Sequence, residues 1–313
     1  MSNILCCFVF PFISLLLAEK IELKFDKFRM VYEPKDESQI LRIVEILKSA
    51  IPKYEKYYGL QLSSVYYIYL PSNEAEFDKL TPKKIPVWSS ALYYPEKRAI
   101  ILKKPDMNLG DFSIEESLLH ELSHLYFQKK FENNLPPLWF NEGLADYYAG
   151  KRLSLQDGVR LANAMLAKKI IPLAEIDSLL NFSEIQAQLA YLQSLSAVIF
   201  LQKTMNHDSI RWSNFIADIG ETNFELALNK HTHWDRIDFE IYWLRWLHKK
   251  YQWFVIFNLE NLIWLGIAMV LIGALYAIRY RNKKRLIEME LEEFWYEYEF
   301  KDNLTKDESN KIK

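Results

Sequence analysis

Leu118-Leu-His-Glu-Leu-Ser-His-Leu-Tyr126 is the stretch on which the reading of this chain turns. Its leucines recur at helical spacing, and on a helix His120 and His124 lie four residues apart on one face, where two imidazoles can share a metal ion. Glu121, beside the first histidine, can then reach a water activated by that metal and act as a base. Ser113 is placed to cap this helix, with Glu116 three residues later as its capping-box partner.

A hydrolytic zinc takes three protein ligands and keeps one position for water, whereas a structural zinc takes four. The third ligand has to come from another segment. Asn133-Asn-Leu-Pro-Pro-Leu-Trp-Phe-Asn-Glu-Gly-Leu-Ala-Asp-Tyr-Tyr148 offers a turn, Pro137 at a first helical position, and a second helix carrying Glu142. Asp146 lies one turn beyond Glu142 on the same face, where it suits accepting the free ring N–H of a ligand histidine. Gly143 permits close approach of a neighbouring helix. The remaining histidines, His207, His231, His233 and His248, read as structural, because His231-Thr-His233 has neither helical four-residue spacing nor an acidic pair nearby.

Working outward, residues 19–110 read as a mixed α/β part: a strand over Ile21 to Phe28, a helix from Glu37 to Tyr58, a strand over Val65 to Leu70, and two short strands around Pro95-Glu-Lys-Arg98. From Ser113 to Tyr251 the apolar spacing is helical, with breaks expected at Asn133 to Pro137, Gly150, Ile171-Pro172 and Gly220. The fold class is therefore α+β, with a sheet-bearing part (19–110) leading into a helical, metal-carrying part (111–252).

The chain has 313 residues, half of them apolar, and that half gathers at both ends. Ile4 to Ala18 carries no charge and reads as a signal peptide over residues 1–18, which contains both cysteines, Cys6 and Cys7. Leu262 to Ile278 is an uninterrupted apolar run that, with its flanks over 253–280, is long enough at 1.5 Å per residue to cross a hydrocarbon core of about 30 Å. Arg279, Arg281, Lys283, Lys284 and Arg285 follow it, which places the tail, 281–313, in the cytoplasm and the body outside it, although Arg245, Lys249 and Lys250 on the other flank reduce the asymmetry. Trp243, Trp246 and Trp253 either pack the helical part or meet the membrane surface. Leu286 to Phe300 reads as a short acidic and aromatic helix. A formal charge of −2 gives no overall attraction to nucleic acid, so the expected partners are a peptide or protein substrate and the lipid bilayer.

The pair of motifs, His120-Glu-Leu-Ser-His124 followed by Trp139-Phe-Asn-Glu-Gly-Leu-Ala145, resembles the gluzincin metallopeptidases, specifically the peptidase MA-like domains of bacterial exported and membrane proteins. The close resemblance covers His120 to Tyr148, with a weaker one through Tyr191 to Leu201 and on to Trp246. It implies a thermolysin-like two-lobed fold, Zn2+ held by His120, His124 and Glu142, Glu121 as general base, and Asp146 orienting a histidine. It also implies an oxyanion donor on a later helix, for which Tyr191 is the candidate, with simple packing as the alternative. The strand before the metal helix, around Ala99 to Leu102, is expected to form the sheet edge that receives an extended peptide.

These readings make the chain a membrane-anchored zinc metallopeptidase. The competing class is a metal-binding, peptidase-like interaction module without turnover, which has no physical need for Glu121. An intramembrane protease is disfavoured because the metal residues lie in a polar segment far from the apolar helix. No Gly-x-Met-x-Asn-type strand precedes the metal helix, so both endo- and exopeptidase action stay open.

Overall fold

Asp26 shows how local chemistry divides what reads as one strand. Its backbone is left-handed, φ 49°, so the chain reverses at Asp26-Lys27 and the expected single strand becomes the hairpin β1 (Ile21–Phe25) and β2 (Phe28–Tyr32). The structure, a computed structural model, describes residues 20–82, 85, 89–104, 113–257 and 259–310; the apolar start over residues 1–18 lies outside them.

From β2 the chain crosses through helix α1 (Glu37–Tyr58) to β3 (Tyr66–Tyr69), which pairs parallel with β2. Ile40, Ile43, Val44 and Leu47 bury one stripe of α1, and Gly59, φ 61°, ends it in the left-handed conformation that favours glycine. A short helix α2 (Glu74–Leu80), capped by Asn73, precedes the last hairpin, β4 (Ala91–Tyr94) and β5 (Ala99–Leu102). The sheet order is β1-β2-β3-β5-β4, with β5 parallel to β3 and antiparallel to β4.

That order corrects the expected edge. Ala99 to Leu102 lies inside the sheet with all four residues buried, while β4, alternately buried and half-buried, is the edge beside the helix that carries His120 and His124. A strand covered on both faces reads as a continuous apolar run, and Ala-Ile-Ile-Leu is one.

The helical part comprises α3 (Ile114–Lys130), α4 (Leu138–Tyr148), α5 (Leu155–Leu166), a 3-10 segment over Leu173–Asn181, α6 (Glu184–Thr204), α7 (Ser209–Glu221), α8 (Phe224–Thr232) and α9 (Arg236–Tyr251). Capping boxes start α5, α6 and α9, and Asp208 and Asn223 cap α7 and α8, so five of these boundaries are set by side chains. Gly220 does not break α7: the helix runs on to Glu221, and a Cβ at Gly220 would lie 3.3 Å from the Lys130 side chain, so the glycine serves close approach to α3. Breaks also fall at Asn206-His207 and at His233, all left-handed. Trp243 is fully buried and donates to Ser196 Oγ at 3.0 Å, joining α9 to α6.

The unit beginning at Trp253 carries one long helix, α10 (Leu259–Asn310). Its segment Ile263–Glu297 is long and apolar enough to cross a membrane, and none of the hydrophobic window is buried by protein. The helix expected over Leu286 to Phe300 is not separate, since the backbone continues helical from the apolar run through the basic cluster. Residues 279–297 contain no proline or glycine, and Lys284 and Glu288 stand one turn apart at 3.9 Å.

Candidate metal centre

Two antiparallel helices supply the site, with residue 120 of α3 opposite 146 of α4 and residue 124 opposite 141. α3 is driven onto the core by Leu118, Leu122 and Leu125, all fully buried, and its back is held by α1 through two hydroxyls. Tyr54 Oη donates to the Leu119 carbonyl at 2.8 Å, and Tyr58 Oη shares a 2.6 Å hydrogen bond with Ser123 Oγ. Ser113 stands at the N-cap, but its side chain makes no capping bond, so the expected box with Glu116 is not formed. Acidic Glu115 and Glu116 in the first turn and Lys129 and Lys130 in the last still match the helix dipole.

Pro137 is the N-cap of α4, not its first helical residue, because its ψ of 149° is extended. The first helical amide, that of Leu138, donates to Asp177 Oδ1 at 3.0 Å. Gly143 then meets α6 so closely that a Cβ there would lie 2.3 Å from the Ser194 carbonyl oxygen. This contact sets α6, and Tyr191 with it, across from the histidines.

The geometry brings His120, His124 and Glu142 together, one ligand-type atom from each lying within 4.8 Å of the others. The two Nε2 atoms are 3.0 Å apart, and Glu142 Oε2 stands 3.4 Å from one and 3.5 Å from the other. Glu142 Oε2 is buried and, among the described residues, has no hydrogen-bond partner. A buried carboxylate oxygen facing two imidazole nitrogens is what a cation would satisfy, so this group could hold a metal ion. Each histidine turns its other nitrogen to an acceptor: His120 Nδ1 to Asp146 Oδ1 at 2.8 Å, and His124 Nδ1 to Asn141 Oδ1 at 2.9 Å. Such bonds fix the ring and direct Nε2 toward a metal. Lys151 completes the chain, its Nζ lying 2.7 Å from the same Asp146 oxygen.

Charge and burial compete throughout. Burial favours neutral His120, but the hydrogen bond and charge of Asp146, together with Glu142 and Glu121, raise its pKa to about 10. His124 is likewise raised, with burial opposing and Glu142 prevailing. Burial works against the charge of Glu142 and Asp146, yet both carboxyls stay below their usual range, Glu142 through His124 and His120, Asp146 through His120 and Lys151. The net result is a buried, polarised cluster whose histidine protons a metal would replace.

Glu121 is buried at the edge of this group, and its Oε2 accepts the main-chain N–H of Tyr93 on β4 at 2.6 Å. Tyr191, partly exposed, has its ring centroid 6.4 Å from that of His120. Burial, then the charges of Glu142, Glu121 and Asp146, push its phenol well above the ordinary value, so it keeps its proton and can donate.

Among the described residues, none of the other histidines joins the group that could hold a metal ion. His231 Nε2 pairs with Asp218 at 2.6 Å, and His233 and His207 occupy left-handed turns. Three partners of the site were missed in the sequence. Asn141 had a signal, since a second ligand histidine needs its own acceptor and Asn141 adjoins Glu142. Lys151 and the Tyr93 amide had none. No family model matches the chain, and no curated protein matches it either.

Proposed function

We propose that this protein is a membrane-anchored zinc peptidase that hydrolyses peptide bonds in an extended substrate. The observation that carries the reading is the convergence of His120, His124 and Glu142 with Glu121 on the next residue, tied to the edge of a sheet. The resemblance of the two motifs to the gluzincins supports zinc, as does the donor set of two imidazoles and one carboxylate.

His120, His124 and Glu142 would hold the metal, Asp146 and Asn141 keep the rings aligned, and Lys151 balances the charge of Asp146. When bound, zinc supplies Lewis acidity, lowering the pKa of water to about 7 and polarising the scissile carbonyl. Glu121 takes the proton from the attacking water and returns it to the leaving amine. The Tyr93 N–H restrains one carboxylate oxygen of Glu121, leaving the other for proton transfer. Tyr191 donates its O–H to the oxyanion that develops. As the sheet edge beside α3, β4 offers outward main-chain groups to an antiparallel peptide. The body lies outside the cytoplasm, with the basic residues Arg279 to Arg285 on the cytoplasmic side of α10.

Digestion of capped and uncapped peptide libraries by the full chain and by Glu121→Gln tests the proposal. Cleavage by the wild type and its loss in the variant, at equal metal content, are expected. Equal cleavage by both, or none by a metal-loaded wild type, contradicts it and favours a binding module.

A further inference from the structure

The last two turns of α9 carry a feature that the metal centre does not use. Along its outer face Ile237, Ile241 and Tyr242 are exposed, and Arg245, His248 and Lys249 continue the face as cations and imidazole, with Lys250 exposed on its flank. The fold adds more positive charge from distant segments. Lys203, at the end of α6, comes close enough to Lys250 that burial and this neighbour together depress the Lys250 pKa. Lys168, just past α5, lines with His248 a hollow of about 360 Å³.

Among the described residues, none of Lys168, Lys203, Arg245, Lys249 and Lys250 forms an ion pair. Two acids lie near them: Glu240 lines the same hollow as Lys168 and His248 and accepts the Leu173 amide at 2.9 Å, and Asp157 closes the capping box of α5. Two of the cations lie instead on aromatic faces, Arg245 over Tyr242 at 5.7 Å and Lys250 over Trp246 and Tyr251 at 4.8 and 5.0 Å. A chain of net charge −2 thus gathers five cations outside ion pairs around one helix end. Cations that cover aromatic rings and keep their heads outward match a bilayer interface, where rings sit at headgroup depth and ammonium groups meet phosphate. Connectivity brings such a surface within reach, because Tyr251 precedes the candidate span at Ile263 by a segment that extends to at most about 40 Å.

We propose that the outer face of α9 docks on an anionic bilayer, with Arg245, Lys249, Lys250 and Lys203 on lipid phosphates and Ile241 and Tyr242 in the interfacial layer. The proposal rests on α10 spanning the membrane and is independent of peptidase activity. It is tested on the full chain with Cys6 and Cys7 changed to serine and one introduced cysteine carrying a bimane label. The labelled protein is reconstituted in vesicles containing headgroup-spin-labelled lipid, either pure phosphatidylcholine or with about a third phosphatidylglycerol. A label at Ile241→Cys is expected to be quenched about twofold more strongly in the anionic vesicles. The difference disappears in high salt and in Arg245→Glu/Lys249→Glu/Lys250→Glu, and is reduced in the corresponding glutamine variant, which carries no new negative charge. A second label at Ala274→Cys reports the span independently, through quenching by lipid brominated deep in the acyl chain. Equal quenching at Ile241→Cys in both vesicles, with the span label quenched, overturns the proposal. So does a label that ignores lipid charge and responds to an acidic polypeptide or an oligonucleotide, which would assign the face to a polymer. A span label that is accessible from water overturns α10 as a membrane helix, and the docking with it.

Discussion

Gly143→Ala puts the packing behind the site to a test in which two effects have opposite signs. On helix propensity alone, alanine in the middle of α4 stabilises by about 1 kcal/mol. The structure argues the reverse. A Cβ at residue 143 would stand 2.3 Å from the Ser194 carbonyl oxygen, 2.6 Å from its carbon and 2.8 Å from Val198 Cγ2. Restoring ordinary contact requires α4 and α6 to separate by about 1 Å, and overpacking of this kind costs about 3 kcal/mol. The net loss, about 2 kcal/mol, corresponds to a fall in Tm of about 4–8 °C for a body of this size. Because the nearest atoms are main-chain, trimming Val198→Ala in the same chain should recover little. Thermal unfolding of the full chain in detergent, followed by circular dichroism at matched metal loading, reads the effect. A rise in Tm would refute the close α4–α6 contact, and with it the route by which α6 carries Tyr191 to the histidines.

Three further outcomes follow from the same geometry. Asn141→Ala frees the Nδ1 side of His124 and should weaken metal binding about 10- to 100-fold in chelator competition, with little change in secondary structure. Tyr93→Pro removes the main-chain donor to Glu121 on an edge strand whose outward amides proline can replace, so peptide cleavage should fall at least tenfold while metal content stays unchanged. Asp218 is held below the usual carboxylate range by hydrogen bonds from Lys230 and His231, so its contribution is present above the unfolded value of about 4 and is lost as the pH falls through the folded value. Asp218→Asn should therefore lower Tm at pH 7 and match the wild type once the acid limb is passed.

The group that could hold a metal was legible because His120 and His124 have the four-residue spacing that places two imidazoles on one helix face, while Glu142 was found through the resemblance and the next helix. α1 was readable to the residue from its apolar stripe and terminal glycine. The hairpin at Asp26-Lys27 was not, since its reversal depends on one left-handed aspartate in a two-residue turn set between Phe25 and Phe28. The edge strand was misplaced for a reason the residues themselves contain: Ala99-Ile-Ile-Leu102 is apolar on both faces, as a central strand requires, while Ala91-Leu-Tyr-Tyr94 alternates. The continuous helix through Arg279 to Arg285 follows from residue propensities that outweigh a change from apolar to charged. What no pattern could supply is the Tyr93 N–H to Glu121 bond, because a main-chain donor leaves no mark on residue identity.

The central claim is that three side chains from two helices form a metal site. Elemental analysis of the purified full chain, beside His120→Ala and Glu142→Ala prepared identically, tests it most directly. One tightly held zinc per wild-type chain, retained through dialysis and lost in both variants, is the predicted result. A wild-type chain that holds no metal when zinc is supplied, or variants that hold as much as the wild type, would contradict it.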